Sequence, residues 1–183
     1  MCDAFMKEHY YGTIYDAYLK LPMAVMKADL WRYCVIYKYG GIYADVDTVC
    51  EQRPELLIKD GAQLCLAPEP DCPYFCQWVF AAPPGSPIMK AIIDLSVKRI
   101  HDQAEFKGQD LIHYLTGPAL FTDAIDQYLT SVKLPVFKNK QTCRSNGVIA
   151  VYNPKIFHNH VVKHLYAGSD TDGWKELKKV VLH

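Results

Sequence analysis

The chain has 183 residues, which suits one domain with a sizeable core rather than two. Half of it is hydrophobic, 22% is charged, and thirteen tyrosines and three tryptophans add aromatic bulk, a balance that excludes a disordered or low-complexity protein. Twenty lysines and arginines offset twenty aspartates and glutamates with no long run of like charge, so the clustered cations that grip a nucleic-acid backbone are lacking and no nucleic-acid partner is expected.

The seven cysteines are odd in number and contain no C-x-x-C pair, which argues against a zinc ribbon and for free thiols in a reducing compartment. The opening stretch MCDAFMKEHYYGTIYD carries acids and no apolar core of signal-peptide length. The most apolar region, Met23 to Val46, is broken by Lys27, Asp29, Arg32 and Lys38, short of a membrane span. The sequence therefore reads as a soluble, cytoplasmic protein without a transmembrane segment.

In chain order, Met26, Leu30, Tyr33, Ile36 and Tyr37 recur at helical spacing and predict a helix over Met23–Tyr39, with Pro22 at its start and Gly40-Gly41 closing it. Ile42-Tyr43-Ala44 predicts a short buried strand that runs into the acidic loop Asp45-Val46-Asp47-Thr48. Strands are expected over Gln63–Ala67 and Phe75–Ala82, separated by a proline-rich loop. A helix follows from Ser86 or Pro87 to about His101, and another from Gly117-Pro118 through Tyr128. Short strands at Pro135–Lys138, Val148–Tyr152 and His160–His164 and a last helix over Gly173–Val181 complete the pattern. Strands alternating with helices predict an α/β fold with a mixed sheet flanked by helices, in a single domain over residues 1–183.

The chemistry concentrates at Asp45 and Asp47. D-x-D alone is a weak signal, for Asp170-Thr171-Asp172 also fits it. The first copy differs in setting, because a strand delivers it to the carboxyl edge of a sheet, where open α/β sheets bind ligands. Two carboxylates on a short loop are a partial ligand set for Mg²⁺ or Mn²⁺ with positions left for phosphate oxygens; they also read as a simple acidic turn. Asp29 and Arg32 share a helical face, and Tyr43 and Asp45 share a strand face. A helix folded back on the strand would bring all of them to Asp47, although Asp29 and Arg32 also read as a local ion pair worth a few tenths of a kcal/mol on an exposed helix.

Ala28-Asp29-Leu30-Trp31-Arg32-Tyr33 followed by Tyr39-Gly40-Gly41-Ile42-Tyr43-Ala44-Asp45-Val46-Asp47 resembles the A-D-x-x-R-Y…G-G-x-Y-x-D-x-D signature of the glycosyltransferases with a DXD sugar-binding region. These include fungal mannosyltransferases, capsular polysaccharide transferases and, distantly, clostridial glucosylating toxins. The likeness extends more loosely through Phe80–Pro87, through Thr116-Gly117-Pro118, and to His164, Gly168-Ser169 and Trp174.

The resemblance implies a GT-A-like nucleotide-diphospho-sugar transferase fold. It implies that Asp45 and Asp47 bind metal and diphosphate, that Asp29 and Arg32 contact the ribose or sugar, and that Tyr43 lines the donor pocket. It likens His164 to the C-terminal histidine that some members add as a metal ligand, with a plain surface or core histidine of a short strand as the alternative, and it makes Mn²⁺ or Mg²⁺ the cofactor and Ser169 and Trp174 a closing loop. The implied activity is transfer of a hexose, with retention, from a nucleoside diphosphate sugar to a glycan, lipid or protein hydroxyl. No residue is marked as catalytic base.

Three departures stand out. Gln77 occupies a place where the family has asparagine; four residues separate Ser169 from Trp174 where the family has a tight G-S-W; and the base-binding strands expected before the Asp29 helix find little room ahead of Met23. The expectation is an N-terminally shortened domain, read as a fragment, a split subunit whose partner supplies the strands, a wrongly started reading frame or a shortened relative that no longer turns over, and the rival reading is a non-catalytic sugar-nucleotide-binding or interaction module. A phosphohydrolase or nucleotidyltransferase would need G-x-x-x-x-G-K or a second tight acidic cluster, and neither is present. Asp94, Asp102, Glu105 and Asp110 read as solvated.

Overall fold

A computed structural model describes residues 2–69, 72–103, 110–138, 145–154 and 161–165. The expected last helix and the Asp170–Asp172 pair lie outside the described residues. The elements run α1 (Cys2–His9), α2 (Thr13–Lys20), α3 (Ala24–Tyr39), β1 (Gly41–Ala44), β2 (Thr48–Cys50), β3 (Leu64–Leu66), β4 (Val79–Ala82), α4 (Pro87–Asp102), α5 (Leu111–Leu115), α6 (Pro118–Ser131), β5 (Ile149–Val151) and β6 (Val162–His164).

The main sheet has the order β1-β4-β3-β5. β4 is antiparallel to both neighbours, and β3 and β5 run parallel, so the sheet is mixed, as expected. Alternation sorts its side chains by face. Leu64, Leu66, Phe80 and Ile149 point into the main core with Met26, Leu30, Tyr33, Ile92, Phe121 and Ile125 of the helices, whereas Cys65, Ala81 and Ala150 form a small cluster on the other face. Among the described residues the helices thus cover one face. Helix α4 starts where predicted because Pro87 suits the first turn and the Ser86 hydroxyl accepts from Met89 N–H at 3.4 Å.

A second sheet pairs β2 with β6 antiparallel, Thr48 opposite His164. It is anchored by a second apolar cluster in which Val162 packs with Leu57, Ala67, Cys76, Trp78 and Val79. β2 had no sequence signal beyond the expected acidic loop.

Two strand predictions need correction. Pro135–Lys138 is not a strand: helix α6 ends in a turn in which Leu134 N–H donates to the Leu129 carbonyl at 2.9 Å and Lys133 takes φ 58°, and Phe137 is then buried edge-on against Phe75. Phe137 alone serves as the plug while Val136 is exposed, and Pro135 has no N–H to give a ladder. The expected strand over Phe75–Ala82 is confined to Val79–Ala82. Helices α1 and α2 were not anticipated. Cys34, Cys65 and Cys76 are buried free thiols, and Cys2 and Cys50 are free as well. No described helix is long and apolar enough to cross a membrane.

Candidate functional site

Helix α3 and strand β1 are the arms of the site, and Gly40 sets the angle between them. Its φ is 67°, and a Cβ there would lie 2.5 Å from Pro84 Cδ and 2.6 Å from Pro84 N, so a side chain is excluded both by backbone conformation and by space. The loop that crowds it is fastened by Gly85 N–H donating to the Tyr37 carbonyl at 2.7 Å. The glycine pair and the Pro83-Pro84-Gly85 run are thus two sides of one contact.

The β1–β4 ladder extends one bond past the strand, Asp45 N–H donating to the Trp78 carbonyl at 2.8 Å. The chain then turns: the Asp45 carbonyl accepts from Thr48 N–H at 3.1 Å and from the Thr48 hydroxyl at 2.6 Å. Asp47 lies within this turn, and its carbonyl accepts from Leu165 N–H at 2.8 Å, which ties it to the end of β6. His164 Nε2 consequently stands 3.5 Å from Asp47 Oδ1.

From α3, Arg32 Nη2 lies 2.8 Å from Asp29 Oδ1 and 3.4 Å from Asp45 Oδ1. The Tyr43 hydroxyl donates to Asp45 Oδ1 at 2.6 Å, and the guanidinium lies 4.5 Å from the Tyr43 ring centroid, a cation–π contact. Behind this layer, Arg32 Nη1 donates to the Gln77 carbonyl at 3.1 Å and Thr116 Oγ1 donates to Asp29 Oδ2 at 2.9 Å. The Tyr33 hydroxyl donates to the Thr116 carbonyl at 2.7 Å and also touches the Gln77 side-chain amide. Gln77, the departure from the family's asparagine, therefore supports Arg32 from below with its backbone.

Asp29 is 1% exposed and Arg32 5%. This is not the exposed helix pair that spacing alone allowed. Burial pushes the Asp29 carboxyl up to about 6, against the attraction of Arg32 and the Thr116 hydrogen bond. Burial disfavours the Arg32 charge too, but Asp29 and Asp45 together outweigh it and hold the guanidinium protonated. The pair is therefore ionised at neutral pH. Arg32 Nε is buried with no hydrogen-bond partner, a donor that a bound ligand oxygen could satisfy.

Asp45, Asp47 and His164 each offer one ligand atom, and these atoms lie within 4.8 Å of one another. That span is about twice a metal–oxygen bond of roughly 2.1 to 2.5 Å, and two carboxylates with an imidazole suit a hard or borderline divalent cation. All three side chains are partly open to solvent. Counting Asp29, Arg32, Asp45 and Asp47, three negative charges face one positive, leaving an excess that a dication would balance. The residues present fit Mg²⁺ or Mn²⁺.

Of the residues singled out from sequence, Asp29, Arg32, Tyr43, Asp45, Asp47 and His164 come together. Ser169 and Trp174 lie outside the described residues. Sequence reasoning missed Glu69 and Trp78. The Glu69 carboxyl is pushed up to about 6 by burial, with hydrogen bonds from Trp78 and Cys76 opposing and the Asp45 charge adding. The Trp78 ring meets the His164 imidazole edge to face with centroids 4.7 Å apart. A lone acid between two prolines carries no periodic signal, and the pairing of Trp78 with His164 is set by tertiary packing.

Comparison with known proteins gives concordant matches. Residues 3–63 match the family described as glycosyltransferase sugar-binding region containing DXD motif. The initiation-specific alpha-1,6-mannosyltransferase of Candida albicans is 29% identical over 177 residues, covering 76% of this chain and 45% of the relative. The protein of the same description from Schizosaccharomyces pombe is 36% identical over 140 residues, covering 64% of this chain and 35% of its own length. Inositol phosphoceramide mannosyltransferase 1 of S. pombe is 27% identical over 174 residues, covering 91% and 49%. The chain thus spans less than half the length of these curated relatives. Among solved structures, the PaToxG glycosyltransferase superposes with a TM-score of 0.53 at 20% identity, covering 70% of this chain and 45% of that one, a likeness of fold.

Proposed function

We infer that this chain, which carries the DXD sugar-binding region of the glycosyltransferases, is a metal-dependent hexosyltransferase domain of GT-A type that takes its sugar from a nucleoside diphosphate donor. The observation that carries the reading is the convergence of Asp45, Asp47 and His164 beside the buried Asp29–Arg32 pair and Tyr43. The names of the relatives favour mannose as the hexose and a glycan or lipid hydroxyl as acceptor, and we read residues 1–183 as one domain.

In this reading Asp45, Asp47 and His164 would hold Mn²⁺ or Mg²⁺, which supplies positive charge for the departing diphosphate. Asp45 also accepts from Tyr43, so its carboxylate is aimed before any ligand arrives. Arg32 is fixed by Asp29, the Gln77 carbonyl and the Tyr43 ring, and its unpartnered Nε is a donor for a ligand oxygen. Such preorganised charge costs no reorganisation as the glycosidic bond breaks. Transfer would proceed through an oxocarbenium-like state, with retention at the anomeric carbon.

Calorimetric titration of the purified chain with Mn²⁺ and a panel of nucleoside diphosphates and their sugars tests this. Metal-dependent binding that Asp45→Asn/Asp47→Asn abolishes, followed by sugar release or transfer, is the expected result. Binding without turnover under any acceptor would favour a sugar-nucleotide-binding module, and a folded wild type that binds neither metal nor nucleotide would overturn the reading.

A further inference from the structure

We propose that Glu69 and Trp78 form a bracket that aims the His164 imidazole at the Asp45–Asp47 pair, with Glu69 as a positioning residue for the third ligand of the site. This rests on the reading of those three residues as a cation site.

Trp78 is where the relevant contacts meet. Its carbonyl accepts from Asp45 N–H at 2.8 Å, which fixes the strand end that carries the first acid. Its indole is nearly buried, and its ring stands at 82° to the His164 ring with centroids 4.7 Å apart. A tryptophan side chain has one donor, the ring N–H. The Glu69 carboxylate takes that bond, so rotation of the indole about its own axis is restrained by an acceptor in the same loop that joins β3 to β4. That loop is itself held, Glu69 N–H donating to the Tyr74 carbonyl at 2.9 Å and Pro68 bridging to Phe75.

His164 is then located twice: its backbone by the ladder register opposite Thr48, its ring by the edge-to-face contact. An acid is a costly choice beside Asp45, since burial and like charge both oppose its ionisation. A hydrocarbon side chain would fill the same space without that cost, but could not hold the indole N–H. Partners that orient a ligating histidine commonly change metal affinity by about 10- to 100-fold when removed.

The test uses the whole chain, with Mn²⁺ alone as probe. Glu69→Ala removes the acceptor, Glu69→Gln keeps a carbonyl oxygen for the indole, and Trp78→Phe keeps a ring but no donor. We expect Glu69→Ala to weaken Mn²⁺ binding about tenfold and to reduce the nitrogen modulation that His164 contributes to the pulsed EPR spectrum of bound Mn²⁺. Glu69→Gln restores both to near wild type, and adding Trp78→Phe to Glu69→Ala brings no further loss. Without metal, the His164 imidazole protons, shifted by the indole ring current in wild type and in Glu69→Gln, move toward free-histidine values in Glu69→Ala. Should Glu69→Ala fail to fold, Glu69→Leu and Trp78→Phe carry the same comparison. Wild-type affinity, nitrogen modulation and imidazole shifts in a folded variant lacking the acceptor overturn this inference and leave the cation site standing. A wild type that binds no Mn²⁺, or binds it without the His164 nitrogen, overturns the cation reading and this inference with it.

Discussion

Thr48 stands opposite His164 in the β2–β6 ladder while its own N–H and hydroxyl close on the Asp45 carbonyl. One residue therefore sets the spacing between the acid turn and the imidazole. Thr48→Val removes the hydroxyl bond and keeps the shape; we expect a loss of about 1 kcal/mol in stability and a several-fold weaker Mn²⁺ affinity, with Thr48→Ser close to wild type. Unchanged calorimetric affinity in Thr48→Val would show that the turn holds without this bond.

The Asp29–Arg32 pair is buried, so breaking it should cost far more than a surface ion pair. Arg32→Ala leaves the Asp29 carboxylate with neutral hydrogen bonds from Thr116 and Gln77 and no cation, and a loss of about 3 to 5 kcal/mol is expected at pH 7. At pH 5 the deficit should shrink, because the stranded carboxyl can then be protonated. Urea unfolding at the two pH values measures both numbers; equal deficits would argue that Asp29 is not the group responsible.

The raised Asp29 carboxyl gives a signed pH dependence. Its ordinary value is 3.8 and its folded value about 6, so between those limits the folded chain holds a proton that the unfolded chain has released. Stability then falls as pH rises from about 4 to 6, by on the order of 3 kcal/mol from this group. Glu69, also raised to about 6, contributes with the same sign. Urea midpoints measured across this range in EDTA should show a flatter slope for Asp29→Asn than for wild type.

Gly40 and Gly41 both have positive φ, 67° and 104°, but only Gly40 would drive a Cβ into Pro84. Gly40→Ala should therefore be destabilising by about 3 kcal/mol or more and Gly41→Ala by about 1 to 2, the backbone penalty alone. Thermal unfolding of the two single variants decides the order, and equal losses would mean that the Pro83-Pro84 loop yields freely.

Helix α3 and strand β1 were legible because several independent signals coincide there: helical spacing of Met26 to Tyr37, a proline before, two glycines after, and an apolar triplet running into acids. Strands β3 and β5 fall inside the predicted stretches, since short apolar runs between turn residues survive tertiary context. Pro135–Lys138 misled because Phe137 is apolar for a different reason, as a plug against Phe75. The convergence of Asp29, Arg32, Tyr43 and Asp45 could be read from spacing on two elements and one turn. The burial of Arg32, the Gln77 support and the Glu69–Trp78–His164 chain could not, because each depends on which loop covers which face.

The β2–β6 pair joins residues 48–50 to residues 162–164, enclosing three of the four strands of the main sheet, β3, β4 and β5, in one loop. Closing so long a loop costs entropy, which the three ladder positions and the packing of Val162 against Leu57, Trp78 and Val79 must offset. The docked fraction of β6 thus enters the apparent dissociation constant of any ligand that needs His164, which rises in inverse proportion to that fraction. The same linkage runs backwards: a dication bridging Asp47 and His164 would act as a clasp on the chain, so that the concentration of free metal sets how much of the population has its far strand fastened.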